Sequence, residues 1–250
     1  MSRQLKLGVN IDHVATLRQA RYSTMPGSPN AEPSLLAAAE ECEKAGADSI
    51  TVHLRADRRH IQDRDVFDLR EKIATKLNLE LGDTPEIVGI ALEVKPDFVC
   101  LVPESRKEIT TEGGLDVIGN ENGLKKTINR FQEAGILVSL FIDPDEKQIA
   151  IAAQVGADMI ELHTGAFANA DISGGDVELQ ALITASNLAD DLSLQVNAGH
   201  GITMSNLEKL LKAPHLAELN VGHHLVSQSL FVGLRQSVAS MLSAMEDYSP

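Results

Sequence analysis

The sequence predicts an α/β protein of the (β/α)8 barrel class, one unit over residues 1–250 with short extra helices in its βα loops, and three observations predict it. Short β-rich runs alternate with Ala-, Leu- and Glu-rich helical runs eight times, which implies parallel pairing and, at this number, closure. The length of 250 residues is the usual one for that architecture. Most of the strand-like runs alternate apolar with polar residues. Under a layer of helices, this pattern turns the apolar set outward and the polar set into a shared lumen.

Strand one is expected at Leu5–Asp12 and the first helix at Ser34–Ala45, stopped by Ala45-Gly46-Ala47-Asp48. A strand at Ser49–Arg55, a helix at Arg64–Lys76, a strand at Leu77–Leu81 and a helix at Pro85–Val94 follow, the last ended by Lys95-Pro96. Next come a strand at Phe98–Pro103, a helix at Gly123–Ala134 and a strand at Ile136–Asp143, then a helix at Pro144–Val155 with proline in its first turn. The remaining units are a strand at Met159–His163, a helix at Asp176–Asp190, a strand at Leu192–Ala198, a helix at Ser205–Lys212, a strand at Glu218–Val221 and a closing helix at Leu225–Met245. Val155-Gly156-Ala157-Asp158 echoes Ala45-Gly46-Ala47-Asp48, a sign of internal repetition. An open doubly wound sheet is the rival, but no GxGxxG or Walker A string follows a strand. Arg21–Pro33 and Glu104–Asn122 lack elements of their own, follow strands and read as lids at the carboxyl face.

Composition excludes several classes. The formal charge of −14 and pI near 4.9 argue against a nucleic-acid or membrane surface. No apolar run reaches about 18 residues and no signal pattern opens the chain, so a soluble, cytoplasmic protein is expected. Cys42 and Cys100 fall in a helical and a strand pattern and are expected to be reduced core residues, with no structural zinc site.

The candidate chemistry gathers at the strand ends. Thr51, His53 and Arg55 share one strand face, and His53, Arg55, Arg58, Arg59 and His60 crowd five cationic or titratable side chains into eight residues. The plain alternative is a solvated loop. The lumen inventory adds Asn10, Asp12 and His13, then Glu80, Asp143, Glu161 with His163, Asn197 with His200, and Asn220 with His223. His163 also reads as a core histidine and Asp143 as a helix cap. An unpaired carboxylate in a dry barrel costs several kcal/mol, so Glu80 and Glu161 require a wet or networked lumen. Gly199-His200-Gly201 and Gly222-His223-His224 stand after strands seven and eight, where this fold cradles phosphate on backbone N–H groups. Arg21, Arg55 and His60 could hold a second anion on the opposite arc. No lysine lies in the carboxyl half of a strand, which disfavours a Schiff-base aldolase. Asp12-His13 replaces the His-x-His pair of barrel metallohydrolases, its two side chains expected on opposite faces. A metal held by Glu161 and His163 with His53 or His200 stays open as an alternative.

At these residues the sequence resembles the pyridoxine 5′-phosphate synthase family, which would make the fold a TIM barrel. The resembling runs include Gly8-Val9-Asn10-Ile11-Asp12-His13, Thr51-Val52-His53-Leu54-Arg55, Asn78-Leu79-Glu80, Leu101-Val102-Pro103-Glu104 and Thr110-Thr111-Glu112-Gly113-Gly114-Leu115-Asp116. They continue with Glu161-Leu162-His163-Thr164-Gly165, Val196-Asn197-Ala198-Gly199-His200-Gly201 and Glu218-Leu219-Asn220-Val221-Gly222-His223. The resemblance implies condensation of 3-amino-2-oxopropyl phosphate with 1-deoxy-D-xylulose 5-phosphate to give pyridoxine 5′-phosphate, phosphate and water, with no metal or cofactor. It makes His53 and Glu80 general bases, His200 the proton donor and Glu161 a transition-state stabiliser. It assigns the amino-ketone phosphate to Asn10, Gly201, Gly222 and His223. The pentulose phosphate falls to Asp12, His13, Arg21, Arg55, His60 and Thr110. It also implies a homo-octamer. The chain departs from the family in a longer Tyr22–Pro33 loop and in Phe167, where tyrosine is frequent. Outside the family, a phosphosugar aldolase or isomerase and a non-catalytic phosphometabolite-binding protein are the competing readings.

Overall fold

A computed structural model describes residues 5–25, 27–104, 113–170 and 175–249. Eight parallel strands close on themselves in sequence order: β1 (Lys6–Asn10), β2 (Ser49–His53), β3 (Lys76–Leu81), β4 (Phe98–Leu101), β5 (Leu137–Ile142), β6 (Met159–His163), β7 (Gln195–Gly199) and β8 (Leu216–Val221). β1 seals the barrel against β8 with Leu7 opposite Leu219 and Val9 opposite Val221. The barrel expected from the sequence is the one observed.

The period-two pattern sorts the side chains as expected. Leu7, Val9, Ile50, Val52, Leu77, Leu79, Leu140, Leu162 and Leu219 turn outward into one continuous buried core beneath the helices. The inward set forms a separate, largely polar layer. Ser49 donates to Glu218 (2.8 Å), Thr51 to Asn220 (3.0 Å) and Asn78 to Thr51 (3.3 Å), and Asn220 donates to Glu161 (2.6 Å). Only Cys100, Val102 and Phe141 make a small apolar cluster of their own. Gly8 lets β1 run past this network: a Cβ there would stand 2.1 Å from Asn220 Oδ1 and 2.8 Å from Ser49 Oγ.

The repeated Gly-Ala-Asp echo acquires a physical meaning at the other end of the barrel. Asp48 accepts the Leu7 N–H (2.9 Å) and Asp158 the Val138 N–H (2.8 Å), while the backbone N–H groups of the same aspartates donate to the carbonyls of Leu7 and Val138. Asp97 treats Leu77 in the same way, through a 3.0 Å side-chain bond and a 3.1 Å backbone bond. Each aspartate ties the start of an odd strand to the even strand it precedes.

The helices are α1 (Asp12–Tyr22), α2 (Leu35–Ala45), α3 (Asp63–Lys72), α4 (Pro85–Val94), α5 (Glu121–Glu133), α6 (Glu146–Gln154), α7 (Gly165–Asn169), α8 (Gly175–Asp191), α9 (Met204–Leu210), α10 (His223–Val232) and α11 (Leu234–Ala244). Several expectations are corrected. Strand one stops at Asn10, and α1 occupies residues expected as strand end and loop; it buries only Asp12, Val14 and Ala15, too little apolar surface for a periodic stripe. Helix α3 ends four residues early because Glu43 takes the N–H groups of Ala74 and Thr75. Pro144 lies outside α6, since the Asp145 carboxylate caps it by accepting from Lys147 and Gln148. Strand seven begins at Gln195 rather than Leu192, because Ser193 adopts φ 62° in the turn after α8. The long closing helix is two, broken at Gly233 with φ 83°. The expected extra loop helices are α1, α7 and a 3-10 turn at Ile118–Asn120. Within the second expected lid, residues 105–112 lie outside the described residues.

Candidate active site

The carboxyl ends of the strands open into a cavity of about 680 Å³. Asn10, Asp12, His13, His53, Arg55, His60, Glu80, Glu161, His200, Gly201, Gly222 and His223 all line it, so the structure brings together twelve of the fourteen residues to which the family resemblance assigns a role. Arg21 is not among them: it lies exposed in the last turn of α1. Thr110 lies outside the described residues. His163, buried, and Asp143, exposed, do not line the cavity.

Asp12 and His13 both face the cavity, against the expectation of opposite faces. They open a helix rather than ending a strand, and neighbouring helical residues diverge by about 100° instead of 180°. Asp12 is buried; its Oδ1 accepts the His53 N–H (2.8 Å) and its Oδ2 accepts from Asn10 Nδ2 (3.1 Å). Asn10 reaches on to Glu80 Oε2 at 3.5 Å. The His53 ring lies between two carboxyls, with Nδ1 3.9 Å from Glu80 and Nε2 3.9 Å from Glu104.

Glu104, at the start of the loop after β4, was not singled out as a site residue. Its Oε1 accepts the Ala56 N–H (2.7 Å) and lies 3.9 Å from Arg55 Nε, so it joins the ends of β2 and β4 beside two candidates. Its carboxyl packs over Gly82, where a Cβ would meet it at 2.5 Å. The Leu101-Val102-Pro103-Glu104 run was the available signal, but nothing local shows that a loop carboxylate crosses to another strand.

The cation-rich loop divides its charges. Arg58 turns to Asp63 and Glu86, and Arg59 pairs with Asp57 (2.6 Å) at the cavity edge. Arg55 and His60 reach the cavity itself. Arg18 of α1, also missed with its helix, binds both oxygens of Asp65 at 2.7 Å and the His60 carbonyl at 3.2 Å, fixing this loop against α1 and α3.

Burial sets the protonation pattern. It pushes the Asp12 carboxyl up to about 7, and it pushes Glu161 up to about 8 against the bond from Asn220. Glu80 is driven well above the carboxylate range, first by burial and then by Glu161 and Asp12. The same desolvation, with Arg55 and His60 nearby, holds His53 down to about 3. His60 falls to about 4 by burial and the charge of Arg55. The cavity therefore sets imidazoles of lowered proton affinity beside carboxyls of raised proton affinity, a set suited to successive proton transfers.

Across the cavity, β7 is followed by His200 with φ 81° and Gly201 with φ 75°, and β8 by Gly222, whose missing Cβ lets Asn10 approach. Helix α10 begins at His223 and directs its N-terminus to the same rim. Among the described residues, the ligand atoms of Asp12, His53 and Glu80 lie within 4.8 Å of one another. The neutral Asn10 amide directs its N–H donors at both carboxyls there, to Asp12 at 3.1 Å and to Glu80 at 3.5 Å. The metal set considered from the sequence, Glu161 and His163 with His53 or His200, is not among the groups of described residues whose ligand atoms converge.

The fold is shared with distant proteins. The tryptophan synthase α-subunit of Pyrococcus furiosus superposes with TM-score 0.62 at 13% identity, covering 97% of this chain and 100% of that one. Phosphoribosyl anthranilate isomerase of Thermococcus kodakaraensis superposes with TM-score 0.63 at 12% identity, covering 98% and 100%. These likenesses show the TIM barrel and nothing finer. Sequence relatives are much closer. The pyridoxine 5′-phosphate synthase of Akkermansia muciniphila is 56% identical over 244 residues, 97% of this chain and 99% of that protein. Those of a Synechococcus and a Synechocystis strain are 56% and 52% identical over 242 residues, covering 96% of this chain and 98% of each relative. With residues 7–247 matching the family described as pyridoxal phosphate biosynthesis protein PdxJ, and relatives of this identity along nearly the whole chain, the protein belongs to the PdxJ family.

Proposed function

We propose that this chain is a pyridoxine 5′-phosphate synthase, a transferase-type enzyme (EC 2.6.99 type) that condenses 3-amino-2-oxopropyl phosphate with 1-deoxy-D-xylulose 5-phosphate. The products are pyridoxine 5′-phosphate, inorganic phosphate and water. The observation that carries this reading is one cavity with glycine-rich strand ends on one arc, Arg55 and His60 on the other, and buried carboxyl and imidazole groups between them. The names of the close relatives support it.

In this reading Asn10 and the backbone at Gly201, Gly222 and His223 hold the amino-ketone phosphate. Asp12, His13, Arg21, Arg55, His60 and Thr110 take the pentulose phosphate. Arg21 needs a movement of α1, a neighbouring subunit or a bound substrate to reach the site. His53, a neutral imidazole by virtue of its burial, accepts the first proton. Glu80 starts as the protonated carboxyl; the ammonium group of the arriving substrate favours its ionised form, which makes it the second base. His200 returns protons to leaving oxygens, and Glu161 stabilises charge that develops above the lumen. No metal or organic cofactor takes part.

The enzyme works in the cytoplasm; no described helix is long and apolar enough to cross a membrane. It assembles as a homo-octamer, and Leu230 and Phe231, 70% and 83% exposed at the end of α10, supply apolar surface for subunit contact. The test is incubation of the purified protein with both substrates, following pyridoxine 5′-phosphate by absorbance. Absence of product refutes the synthase reading. Glu80→Gln and His200→Asn should each lose turnover while keeping the circular dichroism of the parent; near-normal kcat in both refutes the roles given to them.

A further inference from the structure

His163 presents an arrangement that a core histidine has no use for. Its Nδ1 lies 2.8 Å from Asp143 Oδ1, which fixes the ring and, with Nδ1 carrying the proton, leaves Nε2 as a bare acceptor. That Nε2 is buried and has no hydrogen-bond partner among the described residues, although nearly all buried polar atoms find one. Asp143 is not occupied elsewhere as a helix cap, because Asp145 caps α6.

What the His163 ring does meet is His200. The two rings stand edge to face, centroids 4.9 Å apart at 66°, with Phe141 packed against both. The gap between them depends on Gly165: a Cβ there would fall 2.5 Å from His163 Nε2 and 3.2 Å from His200 Cδ2. Thr164, between His163 and Gly165 in the chain, holds the backbone of His200. Its hydroxyl donates to the carbonyls of Gly199 (2.8 Å) and His200, and its N–H donates to Gly199 (2.9 Å). This keeps His200 at φ 81°, a conformation side chains rarely adopt, which clusters where function requires it. Consecutive residues of β6 and its exit therefore grip His200 by ring and by backbone. After burial, the His163 ring is also the second cause that lowers the proton affinity of His200.

We infer that Asp143 and His163 are positioning residues for His200: the carboxylate fixes the His163 ring, and that ring holds the His200 imidazole at the cavity wall in the orientation from which it delivers its proton. Neither lines the cavity, so they act through His200. The inference rests on the reading of His200 as the proton donor.

Two measurements on Asp143→Asn test it. Steady-state kinetics should show kcat reduced roughly 10- to 100-fold, as for other outer partners of active-site histidines, with both KM values within about two-fold. Nuclear magnetic resonance of the substrate-free protein labelled at histidine nitrogens should show the His163 Nδ1–H signal changed and the His200 ring signals displaced. His163→Gln should displace the His200 signals in the same way. Gly165→Ala, which wedges a methyl between the rings without removing charge, is the second variant if either of the others fails to fold, and should lower kcat similarly. Unmoved His200 signals overturn the inference whatever the kinetics do, and so does an unchanged kcat or an effect confined to KM. If the wild-type protein makes no product, the synthase reading fails instead, and the resonance measurement still decides whether Asp143 and His163 hold His200.

Discussion

Replacing Glu161 by glutamine should make the protein less sensitive to rising pH, and the burial of its carboxyl sets the sign and an upper bound on the size. Glu161 is 3% exposed, accepts from Asn220 at 2.6 Å and has a carboxyl pushed up to about 8 from an ordinary value of 4.5. Between those values the folded chain keeps a proton that the unfolded chain releases. Stability is then full below 4.5 and declines as pH rises towards 8, by about 1.4 kcal/mol per pH unit for one group. Glutamine resembles the protonated carboxyl and still offers Asn220 an acceptor, so it escapes this decline. The stability difference between variant and wild type should grow by about 3 kcal/mol from pH 5 to pH 7, with sharing of the proton among Glu80, Glu218 and Asp12 making that an upper bound. For a chain of this length this is roughly 6 to 12 °C in Tm. The assay is urea or thermal unfolding followed by circular dichroism at pH 5, 6, 7 and 8, with protomer concentration held constant because assembly adds its own stability. Parallel curves for the two proteins would refute the claim that the lumen holds a protonated Glu161. A variant that loses stability relative to wild type as pH rises would show that the folded state prefers the ionised form.

Three further outcomes are expected. Gly8→Ala drives a methyl into Asn220, Ser49 and Glu218 and should cost about 3 kcal/mol or more, read as a fall in Tm; an unchanged Tm contradicts the packed lumen. Tyr248→Phe removes the hydroxyl that accepts from Leu216 N–H (2.8 Å) and donates to the Ala213 carbonyl (3.0 Å), leaving both buried groups unpaired. It should destabilise by about 1–3 kcal/mol in denaturant titration, and wild-type stability would show that water replaces the hydroxyl. Leu230→Glu combined with Phe231→Glu should leave the circular dichroism intact and lower the sedimentation coefficient, and an unaltered coefficient removes these residues from the subunit contact.

Much of the site was legible before any coordinates, because a lumen residue announces itself by strand parity. Asn10, His53, Glu80, Glu161 and Asn220 were placed correctly from alternation alone, and Gly201, Gly222 and His223 from their position after the last two strands. The errors fell where parity does not apply. Helix α1 carries almost no apolar stripe, so the sequence pattern continues the strand through Asp12 and points Asp12 and His13 to opposite faces. Ser193 and Leu192 continued an alternation that the backbone abandons at φ 62°. Arg21, which the resemblance assigns to the pentulose phosphate, is exposed and does not line the cavity, so its role stays a proposal.

The sequence by itself determined the barrel and the chemical character of its interior, since alternation and the strand-helix order are local properties that a short window contains. Tertiary structure alone decided which charges remain for chemistry and in what protonation state. Arg58 is committed to Asp63 and Glu86, whereas Arg55 reaches the cavity beside Glu104, and these choices depend on partners far along the chain. The carboxyls of Asp12, Glu80 and Glu161 gain proton affinity because the closed barrel removes them from water, and desolvation is a property of the enclosure that no single segment carries.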